Sequence, residues 1–484
     1  MRKILGVTLA ILCSIYGLFG FTSCQKEAKT YTRYEITCEY IPETCTLAGT
    51  VKVTFENPTD TPLEVLKFQL YPNAYRKNAV YSPISPTYEE EAFYDGESYG
   101  ELSISSVRGS KNWEVMGEDE NILCVYLESP LYPDESVVLD VGFMTKLAKV
   151  KHSTGVTKNA IQLGNFFPIL CGIRENAFVE TVYHAIGTPF FSDVADYKVK
   201  LTLPKEFEVA FSGTLLEENT LESKKEYTMY LMNARNFAFV LYENGRKHSV
   251  QSGNTELTYY SFSDPTPKET LLKIKESFDF FEAQFGNYPY AQYTVAETEL
   301  CGLGVSYPTL AFLPIKEQGG DRTTEITTLT ARQWWGCTVG SDPLLNAWQD
   351  EGVAAYSALL FFERYEKYGL TREGMINHAL KEYRSYFDIY GSVLGRTDTR
   401  MTRALDSYVS EYEYFCLSRY KSMIMLDTLR KSVGEENFIH SLRRYYKDHR
   451  FQVASVGDLV ASFEKSGLDV AGFFESFLEG KVII

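Results

Sequence analysis

The feature that most constrains the fold is a change of hydrophobic period part-way along the chain. From Tyr31 to about Glu243 apolar residues recur at every second position, as in Leu47, Val51, Val53 and Phe55 and again in Tyr197, Val199, Leu201 and Leu203, with turn residues between the runs. A period of two puts alternate side chains on opposite faces of an extended strand, so this half reads as mostly β. The polar stretch ENGRKHSVQSGNTE, Glu243 to Glu256, interrupts the pattern and marks a domain boundary. Beyond it, TLLKIKESFDFFEAQFG (Thr270 to Gly286) carries apolar residues at helical spacing and stops at a glycine. Further helices are expected over Trp348 to Tyr368 before Gly369, Tyr412 to Val433 before Gly434, Glu435 to about His449, and a last pair through DLVASFEKSG and VAGFFESFLEG. A chain of 484 residues is too long for one core. Two bodies are therefore expected, a β-domain over 31–243 and a mainly helical domain over 257–484.

Ahead of both lies MRKILGVTLAILCSIYGLFGFTSC, with a cationic start at Arg2 and Lys3, an apolar run and small residues before Cys24. This is the pattern of an export signal. Because Ser23, Cys24 and Gln25 close the run, residues 1–24 resemble a bacterial lipoprotein signal, in which the cysteine is acylated. A retained transmembrane anchor is the alternative, since the run nearly reaches the span of about 20 residues that a bilayer requires. The expected location is the cell membrane, lipid-anchored through Cys24 and facing outside the cytoplasm. A formal charge of −16 argues against nucleic acid as a partner.

Nine cysteines are present, of which Cys13 and Cys24 belong to the signal. Cys38 and Cys45 flank EYIPET, a candidate hairpin turn, and both a cross-strand disulfide and two unpaired core thiols are open. No C-x-x-C spacing occurs, so the cysteines suggest neither a zinc knuckle nor a redox pair.

Two stretches carry chemistry by their spacing. TLTARQWWG, Thr328 to Gly336, resembles in its second half the H-E-x-x-H-Q-W-W-G helix of the gluzincin aminopeptidases, the family of aminopeptidase N. WQDEGVAAY, Trp348 to Tyr356, resembles that family's W-x-N-E-G-x-A motif, and Glu351 falls 19 residues after Arg332, the family's spacing. ETELCGLGVSYPTLAF (Glu297 to Phe312) resembles the family's substrate strand, and FQLYPNAYR, the FFP near Pro168 and FSDVADYKV resemble its amino-terminal β-domain. The resemblance implies an α+β fold: an amino-terminal antiparallel β-sandwich domain followed by a mainly helical thermolysin-like domain. On residue preference alone EITTLTARQWWGCTV would be a strand, because Thr, Ile and Val disfavour helix. The helix there is what the resemblance implies.

Carried over position by position, the reactive groups are gone. The first zinc histidine falls at Thr328, the catalytic glutamate at Leu329, the second histidine at Arg332, and Glu351 alone survives as the third ligand. The glutamate that grips a substrate's amino group falls at Ser306. The family's Y-x-K-G motif is matched by SRYKSM, which puts Arg419 at the tyrosine's place with Tyr420 beside it. Zinc lowers the pKa of its bound water from 15.7 to about 7, roughly 10⁹ in hydroxide availability at neutral pH. One carboxylate cannot hold the ion, and Leu329 cannot take a proton, a loss of about 10² to 10⁴ in rate. The six histidines, His152, His184, His248, His378, His440 and His449, all lie outside residues 306–356, and no two are four apart.

Arg332 is expected to turn toward Glu351 and form a bidentate ion pair in the metal's place. No cofactor is expected, with zinc returning only if the site is rebuilt. Gly302, Gly304 and Ser306 would belong to a surviving substrate groove, although the two glycines fit a bulge as well. Taken singly, Trp334 and Trp335 are core residues, and DSYVSEYEYFCLSRYKS, Asp406 to Ser422, is a packed aromatic face before it is a peptide-binding wall. The expected function is binding of a peptide or protein ligand at the cell surface. The alternatives are a hydrolase with a rebuilt site and a structural subunit of a membrane-tethered assembly.

Overall fold

The computed structural model of the protein describes residues 31–315 and 320–484. The signal segment, with Cys13 and Cys24, lies outside the described residues.

In the first half the alternation becomes a two-layer β structure. A seven-stranded sheet runs in the order Thr214–Thr220, Lys224–Ala234, Ala195–Pro204, Thr32–Ile41, Thr46–Glu56, Ser136–Lys146, Glu101–Arg108. A four-stranded sheet of Ile169–Leu170, Leu63–Gln69, Ile122–Leu131 and Asn112–Met116 shares its core. Strand Thr32–Ile41 buries Tyr34, Ile36, Cys38 and Tyr40 and exposes the residues between them. The sandwich is not antiparallel throughout: Thr32–Ile41 pairs parallel with Ala195–Pro204. The hairpin expected around EYIPET is present, with Cys38 opposite Gly49, and Cys38 and Cys45 are free thiols, as are the other cysteines of the described residues. A Cβ on Gly49 would lie 2.8 Å from that of Cys38, so the two strands are pressed close there.

The polar stretch at 243–256 is not a bare linker. Arg246–Ser252 and Thr255–Ser261 form an antiparallel hairpin and join Gln292–Thr298, Leu310–Pro314 and Val305–Tyr307 in a five-stranded sheet that packs with the helices of the second half. The second body's first strand therefore begins at Arg246, ahead of residue 257. A strand edge tolerates such polarity because half its side chains face water.

The helices follow as α1 Pro267–Phe285, α2 Gly320–Ala331, α3 Ala347–Arg364, α4 Arg372–Leu394, α5 Ser422–Val433, α6 Glu435–His449, α7 Val456–Glu464 and α8 Ala471–Leu478. The sequence reading missed α4, whose buried residues are only Ile376, Ala379, Tyr383 and Tyr386, too sparse a stripe to stand out. The expected helix Trp348 to Tyr368 ends as α3 at Arg364 and continues as a 3₁₀ turn, Glu366–Tyr368, before Gly369. The expected helix Tyr412 to Val433 is broken into a short helix Glu411–Phe415, a wide π turn Cys416–Lys421 and α5. Among the described residues no helix is long and apolar enough to cross a membrane.

Candidate active site and groove

α2 forms against the preference of its residues. Thr327, Thr328 and Thr330 each turn the hydroxyl back to the carbonyl four residues earlier, each at 2.8 Å, which satisfies the side chain without leaving the helix. The regular helix ends at Ala331, and QWWG lies in the turns beyond. Gln333 staples this turn to the neighbouring strand: its Nε2 donates to the Tyr307 carbonyl at 3.1 Å, and its Oε1 accepts from Thr309 N and the Tyr288 hydroxyl, both at 2.9 Å. Trp334 Nε1 donates to the Gly286 carbonyl and Trp335 Nε1 to Ser357 Oγ. Both indoles are buried in the helical core, in edge and tilted contact with Phe278, Phe281, Phe285 and Tyr288.

Facing this turn, the first turn of α3 presents Glu351. Gly352, next along, permits the contact that completes the site: a Cβ there would lie 2.2 Å from the Ser422 Cβ, so α3 and the start of α5, just past the π turn, approach closely only over glycine. The wide turn aims Arg419 at Glu351. Arg332 Nη2 donates to Glu351 Oε1, and Arg419 Nη2 donates to Glu351 Oε2 at 3.1 Å. The ion pair expected of Arg332 is thus present but not bidentate: two guanidinium groups divide the carboxylate, one oxygen each. Burial is the largest influence on Glu351 and pushes its carboxyl up, but Arg332 and Arg419 together outweigh it and hold it below the usual range.

The other expected site residues fall as follows. Leu329 is buried in the helical core, and Thr328 is spent on its own helix. Ser306 Oγ donates to the Leu329 carbonyl at 3.3 Å, tying the strand to α2. Gly304 is required by packing: a Cβ would lie 2.6 Å from the Phe312 carbonyl oxygen and 2.7 Å from Leu329 Cδ1. Its N–H is taken by Glu325 of α2. Tyr420 does not reach the centre; its ring stands edge-on to His378 of α4 at 5.4 Å between centroids. The residue occupying the expected tyrosine's place is Arg419.

Around this centre a groove opens between the two halves of the molecule, in two lobes that share Thr188, Phe190, Val305, Arg332 and Glu351. The first, of about 160 Å³, is walled by Tyr88, His152, Tyr183, His184, Glu411 and Tyr414. The second, of about 100 Å³, is walled by Ser192, Arg235, Asn236, Ser306, Cys337 and Asp350. Gly302, Gly304 and Phe415 also line the first lobe, so the Tyr-rich stretch is a packed face that turns Tyr414 and Phe415 to the groove. Sequence reading could not have found Arg235 as a groove residue, since no spacing links it to Glu351, whereas Asp350 adjoins Glu351 and Tyr414 lies in the Tyr-rich stretch.

Folding does return two histidines, His152 and His184, to the first lobe. His152 Nδ1 is taken by the Tyr75 hydroxyl, and burial lowers its pKa to about 4. Among the described residues no three His, Cys, Asp or Glu side chains come together as a metal site. The residues at the three expected ligand positions do not fit zinc. Both oxygens of Glu351 are held by cations, and the other two expected positions are a threonine bonded to its own helix and an arginine.

A β-sandwich joined to a five-stranded sheet and a helical body, with a groove between them over a helix, turn and facing glutamate, is the two-domain α+β architecture expected from the sequence. Residues 317–477 match the family model of the Peptidase family M1 domain. The whole fold is similar to that of an M1 zinc metallopeptidase from Deinococcus radiodurans, 18% identical, with 94% of this chain and 95% of that one covered and a TM-score of 0.62. A mutant of that metallopeptidase bound to a Tyr-Ser-Ala substrate is similar to the same degree, 18% identical over 94% and 95% with a TM-score of 0.62. No curated protein sequence matches the chain.

Proposed function

We propose that this protein is an exported, lipid-anchored relative of the M1 aminopeptidases that binds a peptide or protein ligand in its groove and neither holds zinc nor catalyses hydrolysis. The observation that carries the reading is the clamp on Glu351, in which Arg332 and Arg419 each take one oxygen of the single remaining ligand. A divalent cation entering there would have to displace two guanidinium groups and stand beside them. The groove supports the binding half of the reading, because it is open over the clamp and walled by aromatic and polar groups from both halves. The Tyr-Ser-Ala substrate held by the metallopeptidase of similar fold suggests the ligand class.

Anchoring rests on the signal pattern ending at Cys24. Cys24→Ser should release the protein from the membrane fraction and abolish incorporation of labelled fatty acid. For the centre, the test is metal content of the purified protein measured alongside hydrolysis of aminoacyl anilides. Zinc well below one equivalent and no turnover are expected; one zinc per chain with turnover would overturn the reading.

A further inference from the structure

We propose that the end of the β-sandwich where the chain enters at Tyr31 rests on a bilayer of zwitterionic headgroups, through the two loops 57–62 and 131–136. The inference deepens the anchoring reading above and rests on Cys24 carrying a lipid. Tyr31 stands seven residues after Cys24, a reach of about 25 Å at full extension. A globular body of this size is on the order of 50–60 Å across, so only the surface around Tyr31 meets the lipid. The chain has no slack beyond that residue, because the Tyr31 carbonyl accepts from Glu56 N at 2.9 Å and Thr32 is paired with both Phe55 and Ala195. A tether this short holds the face near the headgroups at a local concentration of the order of millimolar, where contacts too weak to act alone suffice.

The two loops at that end form one prebuilt platform. Asn57 is fully buried; its Nδ2 donates to the Thr61 and Leu131 carbonyls, both at 2.9 Å, and its Oδ1 accepts from Thr59 N and the Thr59 hydroxyl. Backbone bonds from Asn57 N to the Glu135 carbonyl and from Asp134 N to the Asn57 carbonyl, each at 2.9 Å, lace the loops together. Pro58, Pro62, Tyr132 and Pro133 are exposed on this platform, Tyr132 at 55%. An aromatic ring with a polar tip suits the boundary between lipid and water. The loops carry Asp60, Asp134 and Glu135 and neither lysine nor arginine, since Arg33, Arg108 and Lys111 lie outside them. Such a platform fits zwitterionic headgroups better than anionic ones.

The same orientation places the groove. Ala195 lies between Thr32 and Ala234 in the sheet, and Ser192 and Arg235 of the second lobe lie within three residues of this row. That wall is two strand spacings, about 10 Å, from the point where the chain enters. It stays within about 35 Å of the lipid, in reach of polypeptides held in the same bilayer.

The experiment reconstitutes the lipid-modified full chain in phosphatidylcholine vesicles containing a photoreactive-headgroup analogue and maps the crosslinked residues by mass spectrometry. Crosslinks should be about fivefold or more denser in 57–62 and 131–136 than in the turn Pro42–Cys45, which lies about 33 Å away at the other end of strand Thr32–Ile41. Tyr132→Asp should lower the yield in both loops severalfold, with thermal unfolding confirming that the variant folds, and phosphatidylglycerol vesicles should lower it as well. Crosslinks spread evenly over the surface, or gathered at the far turn, overturn the docked face and leave the anchor standing. An equal or greater yield on phosphatidylglycerol overturns the choice of headgroup. A Cys24 that bears no lipid in the membrane fraction overturns the anchoring reading and this proposal with it.

Discussion

Two kinds of structure adjoin within residues 328–335. On one side, Gln333, Trp334 and Trp335 are neutral and buried, and both indoles and both ends of the Gln333 amide find partners in the surrounding sheet and helices. On the other, Thr328, Leu329 and Arg332 stand where the resemblance expects the reactive groups, and the arginine sits on a carboxylate shared with Arg419. The first set carries the packing between α1, α2 and the strand at Tyr307, so changing any member opens a cavity or strands a polar atom. Of the second set only Arg332 lines the groove; Thr328 is bonded to its own helix and Leu329 packs in the helical core.

The largest test of that contrast rebuilds the centre. If the shell is intact, the combined substitutions Thr328→His, Leu329→Glu, Arg332→His and Arg419→Tyr should raise zinc affinity by several orders of magnitude, read as about one equivalent per chain by elemental analysis. A folded variant that takes up no zinc would show that the shell has drifted as well. Next in size, Trp334→Ala should destabilise the protein by about 3–5 kcal/mol in denaturant unfolding, through the cavity and the lost bond to Gly286.

Arg332→Met should cost less, about 1–3 kcal/mol, because Arg419 still holds Glu351. The double variant Arg332→Met with Glu351→Met should recover most of that loss, as replaced ion pairs often do. A double variant less stable than the single would mean that the clamp, not its surroundings, organises the turn.

The smallest effect is on pH dependence. Glu351 is held below its ordinary value of 4.5, so the stability it confers is complete above that pH and is lost as pH falls through the lower folded value. His152 is lowered from 6.5 to about 4, so the folded protein binds its proton later than the unfolded chain, and stability falls as pH drops from 6.5 toward 4. Thermal unfolding from neutral to acid pH should show the His152 window flatten in His152→Asn and the lower window shrink in Glu351→Gln. The scaffold side contributes no ionisable group of its own, and Gln333→Leu should shift the curve without changing its shape.

Much of the fold is written locally. The period of two over the first half yields the sandwich because burial on one face and water on the other is the same rule at every strand, and glycines mark the ends of α1 and α5 at Gly286 and Gly434. The polar hairpin at Arg246–Ser252 was hidden because an edge strand need not be apolar, and α4 because its buried stripe is thin. α2 is the instructive case. Its threonines prefer strand in isolation, and the chain is helical there through burial against α1 and α3, the back-bonded hydroxyls leaving no side chain unsatisfied.

For the site, the sequence alone determined which residues stand at the expected positions and that Arg332 stands 19 residues from Glu351, since these are facts of identity and spacing. Only the tertiary structure decided that a second cation, Arg419, shares the carboxylate, that Tyr420 faces away to His378, and that Arg235 and His152 reach the groove from the other half. Spacing along one helix turn is set by local geometry and survives in the sequence. Contacts between the π turn, α3 and the β-sandwich depend on how closely whole elements pack, as at Gly352 against Ser422, and that is settled only when the chain is folded.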